Sequence, residues 1–364
     1  MNKRKSLFII LFLYLCKMNK AITFEDRIQA FALLGEDLKN GDHPLLRDAI
    51  ALAWSENPWF TPEHILYALS SLGESLSKSN LHQWLKPYHH YFQKPHGGRT
   101  IGVVMAGNIP AVGFHDFLTV LMTGHNLSAK LSSNDRQLIP AMARILCQHD
   151  SRWNSFISFS DTILSGFDAI IATGNNNSSL HFEYYFSKYP HIIRKNRSSV
   201  AVLTGKETDI ELQAMAADFM LYFGMGCRSI SKLFTPIGYD FSRLIHTMQP
   251  FSDVIHHSKY RNNYDYYKSI YLVNNIPFHD SGFVMLRESQ AISSPISVLH
   301  YEQYNSIDHV WEQIRRDKDL LQCVISKDSS GVPTIPPGKA HQPELWDYAD
   351  GIDTMEFLLS DFLR

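Results

Sequence analysis

The sequence predicts an α/β protein built on a parallel sheet and preceded by a helical segment. Three observations carry this. Short apolar runs alternate with helical stretches over residues 99–205, as strands joined by crossover helices do. Those runs end in glycine or polar residues, at the sheet edge where ligands bind in such folds. Residues 23–92 read as helical. A chain of 364 residues has room for two or three domains at about 100–200 residues each.

Composition narrows the classes. Hydrophobic residues are 45% and charged residues 19% of the chain, ordinary globular usage that excludes a disordered chain. There are 34 basic and 36 acidic residues, for a net charge of −2 and no long basic run, which argues against a nucleic-acid partner. Four cysteines exclude a disulfide scaffold. No apolar run reaches the ~18 residues that span a bilayer, so the expected location is cytoplasmic.

Residues 1–17 are a doubtful leader. Asn2-Lys3-Arg4-Lys5 and the apolar Leu7–Leu15 look like the first two parts of a secretory signal. The third part is poor, because Tyr14-Leu15-Cys16 lacks the small residues of a cleavage site. Met18 begins a normal-looking start, so 1–17 reads as an over-extended start, with a membrane-proximal anchor and export as the alternatives.

The elements follow in order. Thr23 can cap a helix carrying Ile28, Phe31, Ala32 and Leu34, ended by Gly35 or Gly41, and Thr61-Pro62-Glu63 opens another. His89-His90 has no further ligand at a metal-binding spacing, so no metal is expected. Ile101–Ala106 is a buried strand. Pro110 suits the first turn of the helix after it, which ends at Gly124. Leu127–Leu131, Phe167–Ala172 and Ser199–Leu203 are the next three strands of the same sheet, with a helix from Asp135 to about Cys147 among them. A helix from about Glu207 to Tyr222 leads to Gly224-Met225-Gly226-Cys227-Arg228-Ser229 and a strand at Ile230–Phe234. Tyrosine-rich helices near Tyr260–Tyr271 can pack or line an acyl tunnel. Phe283–Leu286, Ile296–Tyr301 and Leu321–Ser326 are later strands.

Familiar chemistry is largely excluded. The glycines at 224 and 226 follow a helix and precede a strand, the reverse of a dinucleotide fingerprint. Gly205-Lys206 lacks the upstream glycine of a phosphate loop. There is no Gly-x-Ser-x-Gly elbow, and no Cys-x-x-Cys or His-Glu-x-x-His zinc pattern. Cys147 and Cys323 sit in apolar periodic segments and read as core. Cys227 differs: flanking glycines let a ligand approach, and Arg228 favours a thiolate. Its residues alone leave it open between a nucleophile and a buried thiol.

The order of motifs adds to this. Asn108-Ile109-Pro110, Lys130, Thr173-Gly174, Leu203-Thr204-Gly205 and Gly224-x-Gly226-Cys227 resemble, in sequence, the turns of the aldehyde dehydrogenase superfamily. The nearer likeness is to the acyl-CoA reductases found with bacterial luciferases. Val103–Asp135, Phe223–Phe234 and the ending Leu345-Trp346-Asp347-Tyr348-Ala349-Asp350-Gly351 carry it, and it covers roughly 95–364. The helical reading gives an N-terminal segment at 18–98, and the resemblance implies a parallel-sheet dinucleotide-binding domain at 99–205 and an α/β catalytic domain at 206–325. A C-terminal segment, 326–364, would return to the cofactor domain. It implies Cys227 as nucleophile and Asn108, with the Cys227 backbone N–H, as oxyanion hole. Lys130, Ser132, Ser133, Thr173, Gly174, Thr204 and Gly205 would bind the cofactor. Superfamily members often form oligomers, so a homo-oligomer is an expectation too.

Two departures set the expected direction. Aldehyde-oxidising members carry a glutamate before the Leu-Gly-Gly turn, a base for the water that hydrolyses the thioacyl enzyme. Val202 stands there in this chain, so water attack is expected to be slow. NAD-preferring relatives often place a glutamate three residues after the lysine. Ser133 stands there, which tolerates the 2′-phosphate of NADPH. The expectation is therefore NADPH-dependent reduction of a fatty acyl-CoA, long-chain by resemblance, to the aldehyde. The alternatives are aldehyde oxidation, or acyl-CoA binding or transfer without redox chemistry.

Overall fold

Thr23 opens the first helix with a capping box: its hydroxyl accepts from Asp26 N, and the Asp26 carboxylate accepts from Thr23 N. The structure, a computed structural model, describes residues 22–93, 98–161 and 163–360. The leader at 1–17, Cys16 and Met18 lie outside the described residues. Helices α1 (Phe24–Asn40), α2 (Pro44–Glu56), α3 (Pro62–Ser75) and α4 (Lys78–Leu85) form the N-terminal segment. A Cβ on Gly73 would stand 2.6 Å from Gly35 O, so these two glycines let α1 and α3 touch through their backbones.

Two sheets follow. The first holds β1 (Thr100–Val104), β2 (Asn126–Lys130), β3 (Ile157–Ser160), β4 (Ala169–Thr173) and β5 (His191–Arg194) in the order β3-β2-β1-β4-β5, all parallel. Its helices are α5 (Phe114–Thr123), α6 (Leu138–His149) and α7 (Asn176–Phe186). After β6 (Ser198–Val202) come α8 (Asp209–Met220), β7 (Ile230–Pro236), α9 (Phe241–Met248) and α10 (Ser258–Val273). The chain continues through β8 (His279–Asp280), β9 (Met285–Glu288), β10 (Val298–Tyr304), α11 (Ile307–Arg316), β11 (Leu321–Ile325) and α12 (Thr354–Leu358). The second sheet runs β11-β6-β7-β10-β9-β8, parallel except at β8–β9.

Three expectations change. The run at 199–203, expected in the first sheet, forms β6 of the second and pairs with β7 and β11. The place beside β4 is taken by β5, with Ile171 opposite Ile192, and the chain crosses between the sheets from Arg194 to Ser198. Pro110 does not start the following helix. Ala111 has φ 55° and gives its N–H to the Asp135 carboxylate at 2.8 Å, so the helix begins at Phe114. The helix expected from Asp135 begins at Leu138, because Asp135 is spent on turn closure, accepting from Leu138 N as well.

One buried ion pair ties the edge of the first sheet to two helices. Arg194, the last residue of β5, meets Asp116 of α5 at 2.6 Å and donates to Thr354 of α12 at 2.9 Å. Both charged side chains are buried. Removing one partner leaves an uncompensated charge out of water, which costs about 3–5 kcal/mol. Asp116→Ala is expected to lose about that much in urea unfolding, and adding Arg194→Met to it is expected to recover a large part.

Candidate active site

The loop that carries Cys227 is set by backbone conformation. After α8, Tyr222, Phe223 and Gly224 have φ of 53°, 58° and 76°, three successive residues in the left-handed region. Glycine occupies it freely and the two aromatics do not. The turn then closes on itself: Met225 N donates to Tyr222 O, Ser229 N to Gly226 O, and Gly226 N to Ser229 Oγ.

Ser199 of β6 anchors the Cys227 backbone. Its hydroxyl donates to Cys227 O at 2.8 Å. Having spent its one proton there, Ser199 Oγ accepts from the Cys323 thiol at 2.9 Å and from Cys323 N at 3.2 Å. Cys323 is thus a buried, protonated donor in the frame. Cys227 is partly exposed. Burial of its surroundings pushes its thiol up to about 11, against the opposing pull of the Arg228 guanidinium.

Asn108 comes to the same place from the first sheet. Its side-chain amide donates to Met225 O at 2.9 Å, two residues before Cys227. An amide carries two N–H donors, so one remains for a substrate oxygen. On the far side, His341 Cε1 and Ile109 Cδ1 lie 3.6 and 3.7 Å from where a Cβ on Gly226 would be. His341 Nε2 donates to Asp218 O, and burial lowers its pKa to about 4, so the ring is neutral.

The nucleotide-binding candidates fall into two groups. Lys130, Ser132, Ser133, Thr173 and Gly174 stand at or just beyond the carboxyl ends of β2 and β4. Lys130 has no ion-pair partner among the described residues. Ser132 packs against Gly107, where a Cβ would stand 2.5 Å from Ser132 Oγ, and its hydroxyl accepts from Asn134 N. Ser133 is exposed. Gly174 leads into the amino end of α7, capped by Asn175, where backbone N–H groups favour an anion. Thr204 and Gly205 lie elsewhere, at the carboxyl end of β6 in the second sheet. Their donors are engaged: the buried Glu207 carboxylate accepts from Thr204 N, Thr204 Oγ1 and Gly205 N at 2.7, 2.8 and 3.0 Å.

The position before that turn, Val202, is buried in an apolar cluster with Val200, Phe234 and Trp311. No carboxylate occupies it. Sequence reasoning missed Ser199, Glu207, Asp135 and Arg194. Each is a polar residue closing a turn or a strand end, a role no local pattern advertises. The Tyr260–Tyr271 helix is mostly packing: Tyr260, Tyr264 and Tyr271 are buried and Tyr266 is exposed.

Similar solved structures bear on this arrangement. One is a putative aldehyde dehydrogenase from Burkholderia cenocepacia, with a TM-score of 0.60 at 10% identity over 85% of this chain and 75% of that one. Another is an NAD-dependent benzaldehyde dehydrogenase from Corynebacterium glutamicum, with a TM-score of 0.60 at 12% identity over 85% and 78%. A third is aldehyde dehydrogenase 21 from Physcomitrella patens, in complex with succinate, with a TM-score of 0.60 at 10% identity over 85% and 74%. The chain has the aldehyde dehydrogenase fold. No family model and no curated protein sequence matches it.

The raised thiol makes a testable statement. With a pKa of about 11, about one Cys227 in 10⁴ is a thiolate at pH 7, and the thiolate is what alkylates. Iodoacetamide labelling of the Cys227 peptide is expected to rise about tenfold per pH unit from 7 to 10 without levelling. Levelling near pH ~8.5, where a free cysteine levels, would contradict the burial argument. Arg228→Gln is expected to slow labelling at every pH.

Proposed function

We propose that this protein reduces an acyl-CoA to the aldehyde with NADPH, through a thioacyl intermediate on Cys227. The observation that carries the direction is Val202. Hydrolysis of a thioacyl enzyme needs a base to activate water, and the side chain at that position is a buried valine. The nearby Glu207 is held by three hydrogen bonds to the Thr204–Gly205 turn. An acyl group on Cys227 is then exposed to reduction rather than to water.

The residues divide the work as follows. Cys227 attacks the thioester carbonyl, the carbon–sulfur bond to CoA breaks, and the Cys227 thiol proton passes to the departing CoA sulfur. Asn108 and the Cys227 N–H face the oxygen that becomes negative. When bound, the reduced nicotinamide supplies hydride. The protein fits such a cofactor at the first sheet, where unpaired Lys130 offers an ammonium for ribose hydroxyls. The amino end of α7, just beyond Thr173-Gly174, offers donors to the pyrophosphate, while the Gly174 N–H is spent on Arg194 O. Ser133 places no carboxylate against a 2′-phosphate, which is the basis for NADPH.

The second reading is aldehyde oxidation, favoured by the fold shared with aldehyde dehydrogenases. In that direction the thioacyl enzyme must reach water or a thiol acceptor. Steady-state assays decide. The expected activity is acyl-CoA-dependent NADPH oxidation. Cys227→Ala is expected to abolish it, and Asn108→Ala to lower kcat about 10²–10³-fold. Turnover retained by Cys227→Ala would overturn the assignment, and CoA-independent acid formation from aldehyde would establish the oxidative reading instead.

A further inference from the structure

Two buried nitrogens without partners stand on neighbouring strands of the second sheet. His300 of β10 lies in register with Lys232 of β7 on one side and Arg287 of β9 on the other. Partners in a parallel register point to the same face, so three basic side chains form a row about 10 Å long at about 4.8 Å per strand. Lys232 is fully buried and satisfied: its ammonium donates to the Glu302 carboxylate and to Gln290 O.

The other two members of the row are left open. His300 is 4% exposed. Its Nδ1 is 3.1 Å from Ala291 O and must donate to it, so Nε2 keeps a bare lone pair, buried and unpartnered. Arg287 is half-buried, with its Nε–H also buried and unpartnered. The described residues give it no carboxylate. Its guanidinium carbon lies 5.0 Å from the centre of the Tyr271 ring, a contact that holds a cation without neutralising it.

A guest that satisfies both must accept from Arg287 Nε–H and donate to His300 Nε2. A carboxylate at neutral pH has no proton to give and sets its lone pairs against Nε2. A phosphate group loses its second proton near pH 6, so it either carries the needed proton or shares it with the imidazole. Its negative charge also answers the unpaired guanidinium. We propose that Arg287 and His300, roofed by the 289–297 loop, form a binding site for a phosphate group, as the free ion or as a monoester.

Titration calorimetry on the full-length protein tests this at constant ionic strength. Inorganic phosphate is expected to bind at least tenfold more tightly than sulfate, which carries no proton at neutral pH. Arg287→Met is expected to weaken phosphate about tenfold or more, as loss of a charged hydrogen bond does. His300→Phe is expected to abolish the preference over sulfate. The sources separate by one pair. A gap between CoA and dephospho-CoA that vanishes in Arg287→Met identifies the coenzyme's 3′-phosphate. Phosphate binding without that gap identifies the free ion. Each of these upholds the site. Absence of phosphate binding, equal binding of sulfate, or unchanged affinity in Arg287→Met overturns it, whatever the outcome at Cys227.

Discussion

The left-handed turn at Tyr222, Phe223 and Gly224 decides where Cys227 stands. Two non-glycine residues in that region cost about 1–3 kcal/mol each, so something must hold them. The rings around them do. Phe223 lies 4.5 Å from His257, 4.8 Å from His64 and 5.2 Å from Trp59, and Tyr222 lies 5.4 Å from His341, centre to centre. Trp59 and His64 come from the N-terminal segment. The segment before the first sheet therefore supports the Cys227 loop as well as its own core.

That turn makes the cysteine a meeting point of the two sheets. Ser199 of the second sheet fixes the Cys227 carbonyl, and Asn108 beyond β1 of the first reaches Met225. The same enclosure disfavours the thiolate, and Arg228 offsets only part of the effect. A protonated thiol reacts slowly with stray electrophiles. Under the proposed function that proton would leave with the departing CoA thiolate once the thioester is bound.

Much of this was legible in the residues. Ile101–Ala106 and Leu127–Leu131 declare themselves by apolar runs stopped at polar ends, and they stand within a residue or two of β1 and β2. Gly224-x-Gly226-Cys227 declares a backbone open to close approach. Edge strands were not legible. Ile157–Ser160 has no fully buried residue and His191–Arg194 alternates, so neither shows the continuous apolar run of a central strand. Nor could periodicity say which sheet Ser198–Val202 would join, because both offer it the same apolar environment. The partners of Arg194, Asp135 and Glu207 are created by the fold itself, as is the register that lines up Lys232, His300 and Arg287.

The central claim is that Cys227 carries an acyl group which a reduced nicotinamide removes as aldehyde. Intact-protein mass spectrometry reads this directly. After an acyl-CoA, the protein mass is expected to rise by one acyl group on the Cys227 peptide, persist in buffer, and return to its starting value on addition of NADPH with release of the aldehyde. An adduct that hydrolyses in buffer at the same rate with and without NADPH, or that maps to another residue, would contradict the account.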